Sequence, residues 1–259
     1  MDPERGVGMK ISGNTILITG GATGIGLAMA EIFLEKGNEI IICGRREAKL
    51  VEAQKKHPEF HIVTSDVSTE ANCRALVEWV TAHFPNLNVL VNNAGIQRDI
   101  DFTQGIDEYL AGANELKINL VAPIILSGLM VPYLKGKGEA SIINVSSGLG
   151  FVPAAKMPVY SASKAGLHAF SMALRRQLAH EGIKVFEVIP PAVDTDLNAE
   201  GRAKRGGFRV DLQPQEFVAA VLKGLENDQA EIGYGMSEGY IRASRAELDQ
   251  SFERMNSRW

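Results

Sequence analysis

Tyr160 and Lys164 stand four residues apart, just after the serine pair Ser146-Ser147. On a helix, side chains at positions i and i+4 lie on the same face, so the ammonium group would lie close to the phenol oxygen. A neighbouring cation favours the phenolate and lowers the pKa of the phenol toward neutrality, where a tyrosine can donate and accept protons. The spacing therefore predicts proton transfer to a carbonyl group. Such pairs also arise on amphipathic helices without a catalytic role, so the accompanying residues decide between the two interpretations.

A glycine-rich turn near the N-terminus separates an apolar run from a helix-favouring one. Residues 14–19 read as a short buried strand, and the helix-favouring sequence begins at Leu27. Glycines allow positive φ and a close approach of the backbone, and the first turn of a helix offers unpaired N–H groups to an anion. The turn predicts a pyrophosphate site, unless its glycines serve only its shape. Its candidate cofactor-binding residues are Gly20, Thr23, Gly24, Ile25 and Gly26.

The second predicted strand, residues 39–43, ends in Gly44-Arg45-Arg46, where an NAD-binding fold carries a carboxylate. A carboxylate accepts a hydrogen bond from the ribose 2′-hydroxyl, whereas a guanidinium attracts the 2′-phosphate of NADP. Arg45 and Arg46 therefore favour NADP(H), and Arg45 lies nearer the strand end. NAD(H) remains the alternative if the two arginines only form a solvated pair at the start of the next helix.

The composition excludes several other classes of protein. The 259 residues carry a formal charge of −4 with acidic and basic residues interspersed, which gives little support to a nucleic-acid partner. Apolar runs such as residues 120–126 are too short to span a bilayer. Two cysteines and five histidines show neither a disulfide framework nor a metal-ligand spacing, so we expect no metal and a cytoplasmic location. Residues 1–8 read as an N-terminal extension and residues 9–259 as one domain.

Strand-like runs alternate with helical patterns through most of the chain, which predicts a parallel sheet with helices on both faces. We therefore predict an α/β fold, a single-domain Rossmann-type doubly wound sheet whose ligands bind beyond the carboxyl ends of the strands. The expected strands cover residues 14–19, 39–43, 60–65, 88–91, 140–146 and 183–189. The expected helices cover residues 25–36, 46–56, 70–83, 107–134 and 157–181.

Five motifs in order resemble the classical short-chain dehydrogenase/reductase family, from about Met9 to about Lys223. The chain is also similar to bacterial oxidoreductases encoded beside D-alanyl-teichoic-acid genes, a likeness that names no substrate. The motifs are Thr19-Gly-x-x-x-Gly-x-Gly26 with Asp66, Asn92-Asn-Ala-Gly95, Asn119 with Ser147, Tyr160-x-x-x-Lys164, and a turn from Pro190 to Thr195.

The resemblance implies hydride transfer between the nicotinamide C4 of the cofactor and a carbonyl or secondary alcohol carbon. Tyr160 would then donate or accept the proton, and Ser147 would hydrogen-bond the substrate oxygen. Lys164 would lower the pKa of the phenol and bind the nicotinamide ribose, and Asn119 would hold a water at a helix irregularity. A rival interpretation, a sensor of the NADP redox ratio without turnover, has no need of this proton relay.

The resemblance also assigns residues to the cofactor beyond the glycine turn. Asp66 and Val67 would border the adenine, and Asn93, Ala94 and Gly95 would border its ribose. After strand six, the turn that begins at Pro190 would border the nicotinamide, with backbone groups of Val193 on its carboxamide, and Thr195 would offer a hydroxyl to the pyrophosphate. Here Pro191 stands where the family usually has glycine, which should stiffen the turn.

The residues expected to form the wall of the substrate pocket, apart from Ser147, belong to no family motif. Leu149, Phe151 and Met157 are candidates for an apolar pocket wall with Ser147, and the glycines and charges of residues 196–212 suit a mobile loop. Residues 238–259 show a charged helical pattern. By resemblance we expect a homotetramer or homodimer that pairs through the helices carrying Asn119 and Tyr160.

Overall fold

One parallel sheet of seven strands organises the protein, whose computed structural model describes residues 8–204, 206 and 210–257. The strand order β3-β2-β1-β4-β5-β6-β7 puts β1 inside the sheet and winds the chain outward in both directions. The predicted Rossmann-type doubly wound α/β fold is therefore confirmed. The strands are β1 (Thr15–Thr19), β2 (Glu39–Gly44), β3 (His61–Thr64), β4 (Leu87–Asn92), β5 (Ala140–Val145), β6 (Ile183–Ile189) and β7 (Glu231–Gly233).

Helices connect the strands and continue beyond β7. The helices are α1 (Gly24–Glu35), α2 (Glu47–Lys56), α3 (Glu70–His83), α4 (Asp107–Ala111), α5 (Ala122–Leu134), α6 (Pro158–Leu178), α7 (Ala199–Lys204), α8 (Pro214–Glu226), α9 (Met236–Arg242) and α10 (Arg245–Asn256). A π-helical turn, Lys117–Val121, leads directly into α5, and short 3₁₀ turns cover Phe102–Gln104 and Gly148–Gly150. The predicted N-terminal extension falls almost wholly on residues 1–7, which lie outside the described residues.

Two apolar layers cover the two faces of the sheet. Ile16 and Ile18 of β1 pack with side chains of α1, α2 and α8. Leu17, between them, points to the opposite face and packs with α3, α5 and α6. Because both faces are buried, the strands are apolar along nearly their whole length, as parallel strands under helices are. The sheet therefore holds the strand ends in place from both sides.

The predicted helix over residues 107–134 is wrong, because α4 ends at Ala111 and helical structure resumes at Glu115. Gly112 adopts an extended conformation with φ −105° and ψ 179°. A Cβ on Gly112 would lie 2.2 Å from Cζ of Arg98, whose guanidinium donates to the carbonyl of Tyr109 at the end of α4 (3.2 Å). The packed guanidinium thus ends α4 and fills the gap between the two helices.

The helix from Lys117 to Leu134 is long and apolar enough to cross a membrane by length and composition, with a mean hydropathy of 1.5 over 18 residues. The apolar run of residues 120–126 covers only part of this helix, so the sequence pattern underestimated the length of the apolar segment. In the structure 44% of these residues are buried, and α5 packs against α3, β4 and β5. A core helix of a globular fold passes the same test of length and hydropathy.

The charged C-terminal segment forms two helices rather than one. Ser244 ends the link between α9 and α10 and caps α10, because its hydroxyl accepts from the backbone N–H of Glu247 (3.4 Å). The Glu247 carboxylate in turn accepts from the backbone N–H of Ser244 (2.7 Å). This reciprocal capping box starts a new helix at Arg245. Residues 258–259 of the predicted segment lie outside the described residues.

Candidate active site at the carboxyl ends of the strands

A cleft of about 370 Å³ runs along the carboxyl ends of the strands and gathers nearly all of the predicted cofactor residues. Val193 is the exception within the described residues, since its side chain packs into the apolar core beneath the cleft. The predicted residues that line the cleft are Gly20, Thr23, Gly24, Ile25, Gly26, Arg45, Arg46, Asp66, Val67, Asn93, Ala94, Gly95, Tyr160, Lys164, Pro190 and Thr195.

The turn between β1 and α1 has the shape that a phosphate cradle requires. Gly20 and Gly24 adopt φ values of 65° and 56°, which L-residues with a side chain rarely take. A Cβ on Gly26 would lie 2.3 Å from Nδ2 of Asn93 and 2.4 Å from the carbonyl oxygen of Gly20. The backbone can approach a ligand here because no side chain intervenes. These glycines fit a dinucleotide pyrophosphate at the N-terminus of α1.

Cations gather where β2 ends. Arg45, Arg46 and Lys49 all line this end of the cleft. Arg46 donates to the hydroxyl of Thr23, the N-cap residue of α1, over 3.4 Å, so the guanidinium lies beside the glycine turn. Lys49, which belongs to no sequence motif, also pairs with Glu52 at 2.8 Å. The charge at this end of the cleft fits an extra phosphate on the adenosine ribose.

Asp66 and Thr195 both line the cleft, and each holds its own loop through a short-range hydrogen bond. One carboxylate oxygen of Asp66 accepts from the backbone N–H of Ser68 (3.0 Å). The hydroxyl of Thr195 accepts from the backbone N–H of Leu197 (3.3 Å), and its methyl group would meet a Cβ placed on Gly24 at 3.1 Å. Thr195 therefore closes over the glycine turn.

Helix α6 brings Tyr160 and Lys164 together, as their spacing predicted. Both are buried, with 5% and 4% of their surface exposed, and Lys164 Nζ lies 5.7 Å from the centroid of the Tyr160 ring. Ser147 follows β5, and its hydroxyl accepts from the backbone N–H of Leu149 (3.1 Å). The ammonium donates to the carbonyl oxygen of Val145 at the end of β5 (2.8 Å).

The pKa values of the pair differ from the sequence-based expectation. Burial raises the pKa of Tyr160 to about 12, although the hydrogen bond from Ser147 acts in the opposite direction. Burial also lowers the pKa of Lys164 to about 8, opposed by the charge of Glu187. The predicted lowering of the phenol pKa by Lys164 is therefore wrong for this arrangement, because desolvation dominates and the ammonium is directed at the Val145 carbonyl.

Asn119 lies fully buried in the π-helical turn, which is the helix irregularity that the resemblance implied. Its Oδ1 accepts from the backbone N–H of Ile96 (2.9 Å), and its Nδ2 donates to the carbonyl oxygen of Ile96 (2.8 Å) and to the hydroxyl of Ser163 (3.1 Å). The amide thus joins the segment after β4 to α6. The water expected at Asn119 stays a prediction.

The substrate side differs in detail from the predicted wall. Leu149, Phe151 and Met157 lie outside the cleft lining among the described residues, and the Phe151 ring packs on the His168 ring at 4.5 Å between centroids. Residues of three other segments line this end instead, namely Ile96, Gln97, Ile118, Asp196, Leu197 and Asn198. The Asn198 amide donates to Asp99 (2.8 Å) and approaches the Met157 sulfur at 3.9 Å. Of the predicted loop 196–212, residues 205 and 207–209 lie outside the described residues.

Sequence reasoning missed a buried polar cluster behind the catalytic candidates. The hydroxyl of Ser146, at the end of β5, donates to Glu187 of β6 (2.5 Å). The other carboxylate oxygen of Glu187 lies 2.7 Å from Nδ1 of His168. The one available signal was the position of His168, a further four residues beyond Lys164 on the same helix face.

His168, Glu187 and Glu231 place one nitrogen and two carboxylate oxygens within 4.8 Å of one another, a cluster that no spacing in the sequence reveals. Its contacts are those of an ion-pair network. Both oxygens of Glu187 already take part in hydrogen bonds, and the guanidinium of Arg175 lies 3.6 Å from Glu231. The expectation of a protein without a metal stays a prediction.

Comparison with known proteins agrees with this geometry. The sequence profile described as short chain dehydrogenase matches residues 14–206. The protein named "Uncharacterized oxidoreductase DltE" from Bacillus subtilis (strain 168) is 47% identical over 249 residues, which cover 96% of this chain and 99% of the relative. The predicted likeness to oxidoreductases of this kind is therefore confirmed.

Solved structures share the fold over nearly the whole chain. A short chain dehydrogenase from Burkholderia cenocepacia J2315, solved in complex with NADP, has a TM-score of 0.80 and 26% identity, covering 94% of this chain and 99% of its own. A short chain dehydrogenase/reductase from Burkholderia phymatum, solved in complex with NAD, has a TM-score of 0.80 at 19% identity, covering 93% and 96%. With a profile match over most of its length and a relative at 47% identity, the chain belongs to the short-chain dehydrogenase family of oxidoreductases.

Proposed function

We propose that the protein is an NADP(H)-dependent oxidoreductase that interconverts a carbonyl compound and a secondary alcohol. The observation that carries the proposal is one cleft that joins the glycine turn and Arg45 at one end to Tyr160 and Lys164 at the other. The bound nicotinamide would supply or accept the hydride, which is chemistry that no side chain can provide. The protein's own residues would bind the nucleotide, orient the carbonyl and move the proton.

Tyr160 is the proposed proton donor for reduction and acceptor for oxidation. Its phenol is protonated at neutral pH, since burial raises its pKa to about 12, so it is ready to donate to a developing alkoxide. Ser147 directly follows Ser146, which lines the cleft, and is the proposed hydrogen-bond partner of the substrate oxygen. Lys164, buried one helical turn from Tyr160, would bind the nicotinamide ribose and orient it toward the substrate.

Preference for NADP(H) over NAD(H) is supported by the charges at the end of β2. Arg45 and Arg46 line the cleft beside Thr23, and guanidinium groups bind phosphate through charge-assisted hydrogen bonds. The Burkholderia cenocepacia relative at 26% identity was solved in complex with NADP, which is consistent with this choice.

Calorimetric titration with NADPH and NADH tests the cofactor before any substrate is known. We expect tighter binding of NADPH, and loss of most of that preference in Arg45→Asp. Arg74→Asp is the matched control, since Arg74 is an exposed arginine on α3 that pairs with Glu70 (2.7 Å). Tighter binding of NADH by the wild type would assign the protein to NAD(H) instead.

Turnover is tested with Tyr160→Phe, which removes only the phenol oxygen. With NADPH and a panel of aldehydes and ketones, we expect cofactor binding to persist while reduction falls by at least about 10²-fold, the usual contribution of a positioned acid. Full activity in Tyr160→Phe would refute the assignment. Binding of NADPH without turnover of any carbonyl or alcohol would favour the redox sensor.

We also infer that the protein acts as a cytoplasmic homodimer or homotetramer. The helices carrying Asn119 and Tyr160 expose large apolar side chains, among them Val121, Ile124 and Met172. Such side chains on neighbouring helices are consistent with pairing of two copies. Sedimentation should show an oligomer that Ile124→Glu weakens, and a wild-type monomer would refute the inference.

A further inference from the structure

Glu187 is an acidic side chain in the interior of the protein, with 0% of its surface exposed. It lies near the end of β6, in register with Asn144 of β5 and Glu231 of β7. A carboxylate removed from water is strongly unfavourable unless hydrogen bonds and opposite charges compensate it. Its surroundings should therefore explain why an apolar strand carries a glutamate at this position.

The two partners of Glu187 come from the two elements that carry the proposed catalytic groups. Its Oε1 accepts from the hydroxyl of Ser146, the residue before Ser147. Its Oε2 lies 2.7 Å from His168, which follows Lys164 by one turn of α6. The carboxylate thus ties the end of β5 to α6, and the distance between Ser147 and Tyr160 depends on how these two elements are held.

Glu187 also lies near Lys164, because it bonds Ser146, the residue after the Val145 that Lys164 binds, and contacts His168, one helical turn from Lys164. Lys164 Nζ donates to the carbonyl oxygen of Val145, which carries no charge. Burial lowers the pKa of Lys164, and the negative charge of Glu187 raises it. His168 of α6 and Glu231 of β7 lie beside the carboxylate, and Arg175 of α6 pairs with Glu231 at 3.6 Å. The hydrogen bond to Glu187 is the main cause that raises the pKa of His168. Glu187 is therefore the buried anion shared by His168 and Lys164.

We propose that Glu187 is a positioning residue, which fixes the Ser146-Ser147 turn against α6 and provides the counter-charge that keeps Lys164 protonated. The effect on turnover rests on the proposed function, whereas the effect on Lys164 concerns the protein without ligands. His168 holds the carboxylate in place from the helix side. The glutamate acts through Ser146 and Lys164 rather than on a substrate.

The charge of Lys164 can be followed directly by NMR titration of the protein labelled with ¹³C-lysine, with Lys164→Met used to assign the signal. We expect Glu187→Gln, which keeps the shape of the side chain, to lower the pKa of Lys164 by about 1 or more. The matched control is Glu231→Gln, which removes a neighbouring acid from the same row and should leave the Lys164 titration in place. Equal Lys164 titrations in wild type and Glu187→Gln would overturn the electrostatic part of the proposal.

A second variant keeps this test valid if Glu187→Gln does not fold. His168→Gln retains Glu187 and removes only the ring nitrogen that lies beside its Oε2, so a carboxylate that is the counter-charge of Lys164 should keep the Lys164 titration at the same or a higher pH. A lower Lys164 pKa in His168→Gln would mean that Glu187 is not its counter-charge. These titrations need neither cofactor nor substrate, so their outcome is independent of the proposed reaction.

The positioning part is tested by steady-state kinetics. Ser146→Ala removes one hydrogen bond and leaves the charge of Glu187, so we expect kcat to fall about tenfold with an unchanged Lys164 titration. Glu187→Gln should lower kcat as well and move the alkaline limb of the kcat profile to lower pH. Unchanged kcat and pH profiles in both variants would overturn the positioning role.

Discussion

Asn256, at the end of α10, is hydrogen-bonded to Ala155, a residue 101 positions earlier in the loop that leads into α6. Its Oδ1 accepts from the backbone N–H of Ala155 (2.7 Å), and its Nδ2 donates to the carbonyl oxygen of Pro153 (3.0 Å). One side chain thus bonds both a backbone N–H group and a backbone carbonyl oxygen of the loop. The last described helix holds the segment that precedes Tyr160.

Asn256→Ala should destabilise the protein by about 1–2 kcal/mol, because two hydrogen bonds to backbone groups are lost together. Urea unfolding at constant pH measures the change. Gln250→Ala is the matched control, since Gln250 is an exposed residue on the same helix. Equal unfolding free energies for Asn256→Ala and the control would show that α10 does not hold the loop.

Gly26→Ala should abolish cofactor binding, since the added Cβ would lie 2.3 Å from Nδ2 of Asn93 and 2.4 Å from the Gly20 carbonyl oxygen. The Gly20 carbonyl belongs to the backbone, so it cannot move away from the added Cβ as a flexible side chain can. Gly239→Ala is the control, because a Cβ on this helical glycine has open space around it and alanine favours the helix. Calorimetry with NADPH should separate the two. Normal affinity in Gly26→Ala would mean that the turn does not hold the pyrophosphate.

Features that depend on neighbouring residues in the chain could be predicted from the sequence. Tyr160 and Lys164 share a helix face because of their spacing, and the buried strands are apolar because helices cover both faces of the sheet. The glycine turn follows from the residues that need positive φ, such as Gly20 and Gly24. The fold and most of the residues that line the cleft could therefore be predicted from the sequence.

Features that depend on tertiary packing could not be predicted. The contact between Glu187 and His168 requires β6 to lie under α6, and the break at Gly112 requires the Arg98 guanidinium to fill the space. β7 has three residues, of which Ile232 alone is buried, so it shows no strand periodicity. The direction of the Tyr160 pKa depends on burial, which the local spacing cannot show.

Asn198 should control access to the substrate end of the cleft. Its amide donates to Asp99 (2.8 Å), and its backbone has a φ of 53°, which glycine tolerates. Asn198→Gly therefore removes the hydrogen bond without straining the backbone. We expect KM for the carbonyl substrate to rise about fivefold or more, as the loss of about 1 kcal/mol in a hydrogen bond implies, while NADPH affinity stays the same. An unchanged KM would show that the hydrogen bond between Asn198 and Asp99 does not affect substrate binding.

The buried charge of Lys164 should lower the free energy of unfolding at neutral pH, relative to a protein with an uncharged side chain at this position. Its pKa in the folded protein is lowered to about 8 from 10.5, so the unfolded chain binds more protons between these values. Stability should therefore rise as the pH increases from 8 to 10.5. Lys164→Met removes this dependence.

Urea unfolding at pH 7 and pH 10 tests the linkage. At pH 7 Lys164→Met should be more stable than the wild type by about 1–3 kcal/mol, and this difference should shrink at pH 10, because the wild-type lysine is then neutral in the folded state. The control is Lys156→Met, at an exposed lysine in the loop before α6. Because Lys164→Met should also lose activity, a gain in stability would show that the buried ammonium is kept for function at the expense of the fold. A less stable Lys164→Met at pH 7 would mean that the bond to Val145 outweighs the burial of the charge.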